Sequence, residues 1–279
     1  MKESRYSFII LFVLVFFMGM VGNAHAARIL FVGNSFTGFS VSVLESFAQV
    51  SPFGVDELEF EIVGGTNLQA HTIRPETLET IQCKRFDYIV FQDHSQRTIL
   101  EPDSFVFGVS TLVSMARANG AQPLLFETWA RARGGNLNNF VFDQSIVSSS
   151  YEAIGAELDV PVIHVGDVWS EVRRLNSSLF ASLYQSDLIH PSLAGQYAVA
   201  SSVYRTLYPT NLAWAPSQGL PAITQNTIRL SAVSTNTTTA QHANLKRPVC
   251  EVSRNAAQRT LCGCDPKQVI SPILELLLK

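Results

Sequence analysis

Short apolar runs recur along the chain, and each stops at glycine or at a cluster of polar residues. The first is Ile29-Leu30-Phe31-Val32, broken by Gly33 and followed at once by Asn34-Ser35. Residues 58–63, where Glu59 and Glu61 interrupt the apolar positions, form a second segment that ends in Gly64-Gly65-Thr66-Asn67, and Tyr88-Ile89-Val90-Phe91 is a further run that ends in Gln92-Asp93-His94-Ser95. Residues 123–126 end in Glu127-Thr128-Trp129, and residues 161–165 make the fifth run. Runs this short, rich in β-branched and aromatic residues and closed by turn formers, read as buried strands.

Between them lie longer stretches with helical signals. Ser42-x-x-Glu45 has the form of a capping box and predicts a helix to about residue 50. Pro75 opens a helix that runs to Cys83. Residues 104–119 are closed by Gly120, a natural C-cap. Further helices are expected over residues 139–157, 191–207 and about 223–234. Strand and helix alternate five times, which predicts right-handed βαβ units and a parallel sheet covered on both faces. The expected fold class is α/β: a flavodoxin-like three-layer α/β/α sandwich whose five strands run in the order 2-1-3-4-5.

The two ends of the chain break this pattern. Lys2 and Arg5 precede an apolar run over residues 8–21, and Ala24-His25-Ala26 supplies a small-x-small cleavage site. Residues 1–26 therefore read as a secretory signal peptide, giving a secreted or periplasmic protein. The apolar run spans about 14 residues, short for a membrane anchor, and no cysteine follows the cleavage site to carry a lipid. Residues 27–235 are expected to form one domain, and 236–279 a cysteine-containing tail that starts in a threonine-rich stretch. The four cysteines are Cys83, Cys250, Cys262 and Cys264. In an oxidising compartment disulfides are expected, Cys83 to the tail and Cys250 to Cys262 or Cys264. A zinc site is disfavoured because no paired CxxC is present. The net charge of −3, from 20 basic and 23 acidic residues, gives no reason to expect nucleic acid or an anionic membrane as partner.

Chemistry enters at the strand ends. In an open parallel sheet ligands bind at the carboxyl edge, where the strand order reverses, and Ser35 follows the first strand there. Loop serines more often cap helices or turns, so Ser35 alone identifies nothing. A phosphate loop fails, because Phe39 and Ser40 follow Gly38 where Lys and Ser/Thr are required. A nucleophilic serine needs a base and an orienting acid. Asp187-Leu188-Ile189-His190, just before Pro191, places a carboxylate three residues from an imidazole in the loop ahead of a helix. A surface turn or an N-cap acid would look the same in isolation.

Taken together, a Gly-Asn-Ser-Phe block after strand one, Gly-Gly after strand two, an amide after strand three and D-x-x-H before the last helix resemble the SGNH (GDSL-type) hydrolase superfamily, over residues 28–207. The resemblance implies an esterase working through an acyl-serine, with no metal or cofactor. Ser35 would be the nucleophile and donate its N–H to the oxyanion. Gly65 would give a second N–H, with Gly64 the alternative. His190 would be the general base and Asp187 its orienting acid. The third block departs from the family's Gly-x-Asn-Asp. Gln92 is the amide available at the strand end and is the expected third oxyanion donor, as in some carbohydrate-esterase branches; strict spacing would give that place to His94.

Trp129, with Arg131 and Arg133 beside it, is expected at the cleft rim, as a substrate-binding aromatic suited to a sugar ring. His164 is expected as a core histidine, and His71 near the cleft without a role. A metal held by Asp93, His94, Asp187 and His190 is disfavoured for lack of ligand spacing. The expected partner is a small-molecule or glycan ester, preferably an acetylated carbohydrate. Acyl transfer to a sugar, hydrolysis of lipid esters or thioesters, and glycan binding without catalysis are the alternatives.

Overall fold

The computed structural model describes residues 26–132, 139–208 and 210–236. Strand β1 (Arg28–Gly33) leads through α1 (Ser35–Gly38) and α2 (Val41–Val50) to β2 (Glu57–Ile62), α3 (Leu68–His71) and α4 (Pro75–Cys83). Strand β3 (Tyr88–Phe91) is followed by α5 (Arg97–Leu100) and α6 (Pro102–Ala118), and β4 (Gln122–Glu127) by α7 (Asn139–Leu158). Strand β5 (Val162–His164) is followed by α8 (Val165–Leu175), α9 (Ser177–Ser182), α10 (Leu193–Leu207) and α11 (Ala222–Thr235). The signal segment, Arg133 and three of the four cysteines lie outside the described residues, and so does any partner for Cys83 in the tail. Among the described residues no helix is long and apolar enough to cross a membrane.

All four strand pairings are parallel, and the sheet order is β2-β1-β3-β4-β5, as the alternating pattern predicts. The apolar runs are continuous because both faces of the sheet are covered, so successive side chains enter different cores. Ile29, Phe31, Val90, Leu124, Phe126 and Ile163 pack with α2, α8, α10 and α11 on one face. Leu30, Val32, Ile89, Phe91, Leu125 and Val162 pack with α4, α6 and α7 on the other. Strand β2 sits at the edge and alternates Glu57, Glu59 and Glu61 with apolar residues. Arg28 pairs there with Glu57 and Glu59.

Two helix starts differ from expectation. The residue before α2 is Ser40, whose side chain does not cap the helix, and Ser42 lies within the first turn, so the S-x-x-E pattern is not used as a capping box. Pro102 occupies the first turn of α6, two residues before the predicted start, because proline tolerates that position. The order of strands puts β1 and β3 side by side at the centre, with Gly33 and Phe91 at their carboxyl ends. The polar residues that follow those ends therefore meet at one edge.

Candidate active site

Ser35 begins α1, two residues past the end of β1. Asn34 holds an extended N-cap conformation, and its Oδ1 accepts the Phe36 N–H at 3.1 Å. Gly38 N–H goes to Asn34 O, and Thr37 N–H to Gln92 Oε1 at 3.3 Å. Helix starts leave their first N–H groups without intrahelical partners. The capping side chains take those of Phe36 and Thr37, so the Ser35 N–H is the one left to face a ligand.

His190 comes from the loop before α10. His190 Nε2 lies 2.9 Å from Ser35 Oγ, and His190 Nδ1 2.5 Å from Asp187 Oδ2. The carboxylate can only accept, so Nδ1 carries the proton and Nε2 accepts from the serine hydroxyl. The loop that presents His190 is tightly wound. Asp187 Oδ1 accepts the N–H of Ile189 (2.9 Å) and of His190 (3.0 Å), and Leu188 takes a left-handed conformation at φ 58°. Burial opposes ionisation of Asp187, but these bonds and the imidazole outweigh it and hold the carboxyl below its ordinary range. The segment after β4 pins the same loop: Ala132 N–H donates to Leu188 O, and Trp129 Nε1–H to Ile189 O at 3.0 Å.

Gly64 and Gly65 lie in the turn after β2, closed by Thr66 N–H to Val63 O. Gly65 is exposed, with φ +71°, a conformation that favours glycine. Asn34 Nδ2 donates to Thr66 O at 2.8 Å, which ties this turn to the residue before Ser35. His71 reinforces the junction: Nε2–H donates to Gly33 O (3.0 Å), and Nδ1 lies 2.9 Å from Thr77 Oγ1. Burial pushes the His71 pKa down, which keeps it neutral.

Gln92 is placed differently from its expected role. It is 1% exposed. Oε1 accepts from Asn34 N–H (3.0 Å), Thr37 N–H (3.3 Å) and Thr37 Oγ1 (3.0 Å). Nε2 donates to Asn34 Oδ1 at 3.1 Å and to Asp93 O. The Asn34 N–H can only donate, which fixes the amide orientation, and both amide hydrogens are then used inside the protein. The side chain braces the Ser35 turn instead of facing the cleft. His94 occupies the alternative place, but its Nε2 lies 2.9 Å from Arg131 Nη2. Since guanidinium never accepts, Nε2 does, and Nδ1 faces the Gln96 N–H at 3.4 Å, so neither ring nitrogen is turned to the cleft as a donor. Burial first, then Arg131 and Arg97, push the His94 pKa down to about 4.

Trp129 is also corrected. It is fully buried, stacked between Phe36 (4.5 Å) and Trp169 (4.3 Å). Its role is to anchor the His190 loop from beneath, because a flat indole with one N–H fills this gap and satisfies a loop carbonyl. The exposed aromatic at the site is Phe39, 41% exposed with its ring 4.6 Å from that of His190; its place just after Ser35, at the end of the first turn, was the available signal. Arg131 turns to Ser95 and His94. Asp93 accepts from the N–H of Leu68 and of His94. Among the described residues, Asp93 and His94 do not join Asp187 and His190 in one ligand cluster. A cavity of about 910 Å³ between α3, α4 and α6, lined by Ile73, Gln82, Phe107 and Met115 among others, contains no triad residue.

The geometry can be compared with known proteins. No family model matches the sequence, and no curated relative does. Solved structures do match. One is a DUF4886 family protein from Bacteroides uniformis, 16% identical with TM-score 0.62, covering 76% of this chain and 95% of that one. Another, from Slackia heliotrinireducens, is provisionally described as an SGNH hydrolase; it is 25% identical with TM-score 0.54, covering 66% of this chain and all (100%) of that one. The chain has the SGNH-type hydrolase fold. Axe2, an acetylxylan esterase from Geobacillus stearothermophilus, shares this SGNH architecture at 14% identity and TM-score 0.54, over 70% of this chain and 100% of its own.

Proposed function

We propose that this chain is an exported SGNH-type serine esterase that hydrolyses carboxylic esters, with acetylated carbohydrate as its preferred substrate class. The observation that carries the reading is the hydrogen-bonded relay from Ser35 Oγ to His190 Nε2 and from His190 Nδ1 to Asp187. Proximity of nucleophile, base and orienting acid is what acyl transfer through serine requires.

In the first half-reaction Ser35 Oγ attacks the ester carbonyl while its proton passes to His190 Nε2. Asp187 keeps the imidazole oriented and stabilises the imidazolium. The N–H groups of Ser35 and Gly65 receive the oxyanion. The C–O bond to the alcohol then breaks as His190 returns the proton to the departing oxygen, leaving an acyl-Ser35. In the second half His190 takes a proton from water, the hydroxide attacks the acyl carbon, and the serine leaves with that proton. Atoms balance as ester plus water giving acid plus alcohol.

A small acyl group and a ring-shaped alcohol are supported by the open side of the site. The Asp187 side chain is 42% exposed and that of His190 25%, so the alcohol side faces solvent. Phe39 offers a flat face beside the base, the surface on which a sugar ring packs. Acetylxylan esterases are among the proteins that share the fold. Export rests on the N-terminal segment read above.

Hydrolysis of an aryl acetate and of acetylated xylo-oligosaccharides by wild type and Ser35→Ala tests the proposal. Turnover is expected in wild type and a loss on the order of 10³-fold or more in the variant. Equal rates would refute it.

A further inference from the structure

Glu127 and His164 are the last residues of β4 and β5 and face each other in the parallel register. Asp167 follows in the first turn of α8. The three side chains converge. His164 Nδ1 lies 3.3 Å from Glu127 Oε2 and 3.4 Å from Asp167 Oδ2. All three atoms fall within 4.8 Å of one another. Glu127 is completely buried, yet its Oε2 makes no hydrogen bond, and neither does the buried Nδ1 of His164. The two atoms form an ion pair with each other only when the imidazole is protonated, and neither meets hydrogen-bond geometry; with a neutral imidazole, a cation between them satisfies both.

The rest of the cluster orients these atoms. Glu127 Oε1 accepts from Gln144 Nε2 at 2.8 Å and lies 2.7 Å from Ser148 Oγ. The same hydroxyl lies 2.9 Å from Asp167 Oδ1. Each carboxylate thus has its outer oxygen held by neutral groups and its inner oxygen turned toward Nδ1. On the far side of the ring His164 Nε2 lies 3.3 Å from Glu152 Oε1. A proton on Nε2 donated to that carboxylate leaves the Nδ1 lone pair pointing inward, the arrangement by which outer carboxylates orient metal-binding histidines.

We propose that Glu127, His164 and Asp167 bind one zinc ion that joins β4, β5 and α8. Zinc bonds of about 2.0–2.1 Å to nitrogen and oxygen give a tetrahedron with edges of about 3.3–3.4 Å. The two separations around Nδ1 match that edge. One imidazole with two carboxylates is a borderline donor set that zinc accepts, whereas magnesium and calcium favour six or more oxygens. Asp167 is partly exposed, with 38% of its side chain accessible, which gives the ion a route in and a solvent ligand for the fourth position. The ion would act structurally. Trp129, two residues beyond Glu127, stacks on Trp169 of α8 and holds Ile189 O, so the clamp fastens the elements that carry the His190 loop.

The test uses the purified mature protein, stripped with chelator and titrated with zinc alone against a chromophoric competitor. One zinc per chain is expected, with a Kd of about 1 µM or tighter, and a melting temperature about 5–10 °C higher at 100-fold excess over Kd. Cobalt in place of zinc should give the visible absorption of a four-coordinate site with a nitrogen ligand, a readout that needs no variant. Asp167→Asn and Glu127→Gln should each weaken binding by about 100-fold. Ser35→Ala and His190→Ala should bind as wild type does, so the outcome does not depend on whether the protein hydrolyses esters. No stoichiometric binding at about 100 µM zinc would overturn the proposal. So would wild-type affinity in Asp167→Asn, or loss of the site in His190→Ala alone.

Discussion

Gln92→Ala separates two roles for one side chain, because an oxyanion donor and a brace fail differently. The structure gives Gln92 five hydrogen-bonding contacts, all to the protein and all buried or nearly so. Truncation removes the acceptor for the Asn34 and Thr37 N–H groups, neither of which can rotate away. A buried donor left unmatched costs about 1–3 kcal/mol, and Thr37 Oγ1 can find another partner. With four heavy atoms gone from a closed site a cavity term is added, so the total is about 3–5 kcal/mol. In a domain of about 200 residues that lowers the melting temperature by roughly 8–15 °C. An oxyanion donor facing the cleft would leave stability nearly unchanged and cost about 10²–10³ in turnover. Thermal unfolding followed by circular dichroism, beside aryl acetate kinetics well below the transition, reads both quantities. Turnover should fall somewhat, since the Ser35 N–H is aimed by this network, but the large effect should be on melting. A variant that melts within about 2 °C of wild type and yet loses 10²–10³ in kcat would refute the brace and restore the donor. Gln92→Glu is the companion, because it keeps the acceptors but turns an oxygen toward Asn34 Oδ1 and Asp93 O; it should be destabilised as well.

Three further outcomes follow from the same contacts. Burial raises the Asp93 pKa from 3.8 to about 6, so the folded state holds this proton more tightly than the unfolded chain; the stabilisation is complete below pH 3.8 and is lost as pH rises through about 6. Asp93→Asn should abolish that loss, giving a stability gain over wild type that grows by about 2 kcal/mol between pH 4 and pH 7 in urea titrations; parallel curves would count against it. Gly33→Ala places a methyl 2.7 Å from Gln92 Oε1 and 3.1 Å from Gln92 Cβ, and overpacking here should cost about 1–3 kcal/mol together with turnover; a wild-type melting temperature would show that the strand ends can separate. Phe39→Ala should raise KM for acetylated oligosaccharides by about tenfold while changing kcat for a small acetate little, and equal effects on both substrates would remove Phe39 from the sugar site.

The fold was legible because its signals are local and repeated. Ile29 to Val32 and Tyr88 to Phe91, at the centre of the sheet, carry no charged residue, which only a sheet covered on both faces tolerates, and the helices between the strands fix the parallel sense. The meeting of Ser35, Asp187 and His190 was legible for a related reason: each is a reactive residue type placed where a strand or loop must end, and the 155 positions separating Ser35 from His190 vanish once the order 2-1-3-4-5 is accepted. What escaped was which polar residues face inward. Gln92 follows a strand as an active-site amide would, and nothing in its type or position distinguishes an amide that points to the cleft from one that points to Asn34. Trp129 was misplaced by the same ambiguity, since the residue after a strand end can roll under its loop as easily as over it.

That ambiguity has a physical source. A nucleophile's hydroxyl must reach solvent, so its place at a strand end constrains its direction; a bracing group has no such demand and goes wherever unmatched N–H groups lie. Asn34, Gln92 and His71 each satisfy a donor or acceptor produced by the abrupt turn after Gly33, and their identities follow from that turn and not from chemistry on the substrate. The Glu127–His164–Asp167 cluster presents the converse case. Its residues look like catalytic types, two of them at strand ends and Asp167 in the first turn of α8, but their contacts are to one another and to Gln144, Ser148 and Glu152, not to the serine. The sense in which side chains at the carboxyl edge turn, toward the cleft or toward the layer beneath it, is therefore what divides the groups proposed to react from those that hold them in place, and it becomes visible only when every buried hydrogen-bonding atom has been given its partner.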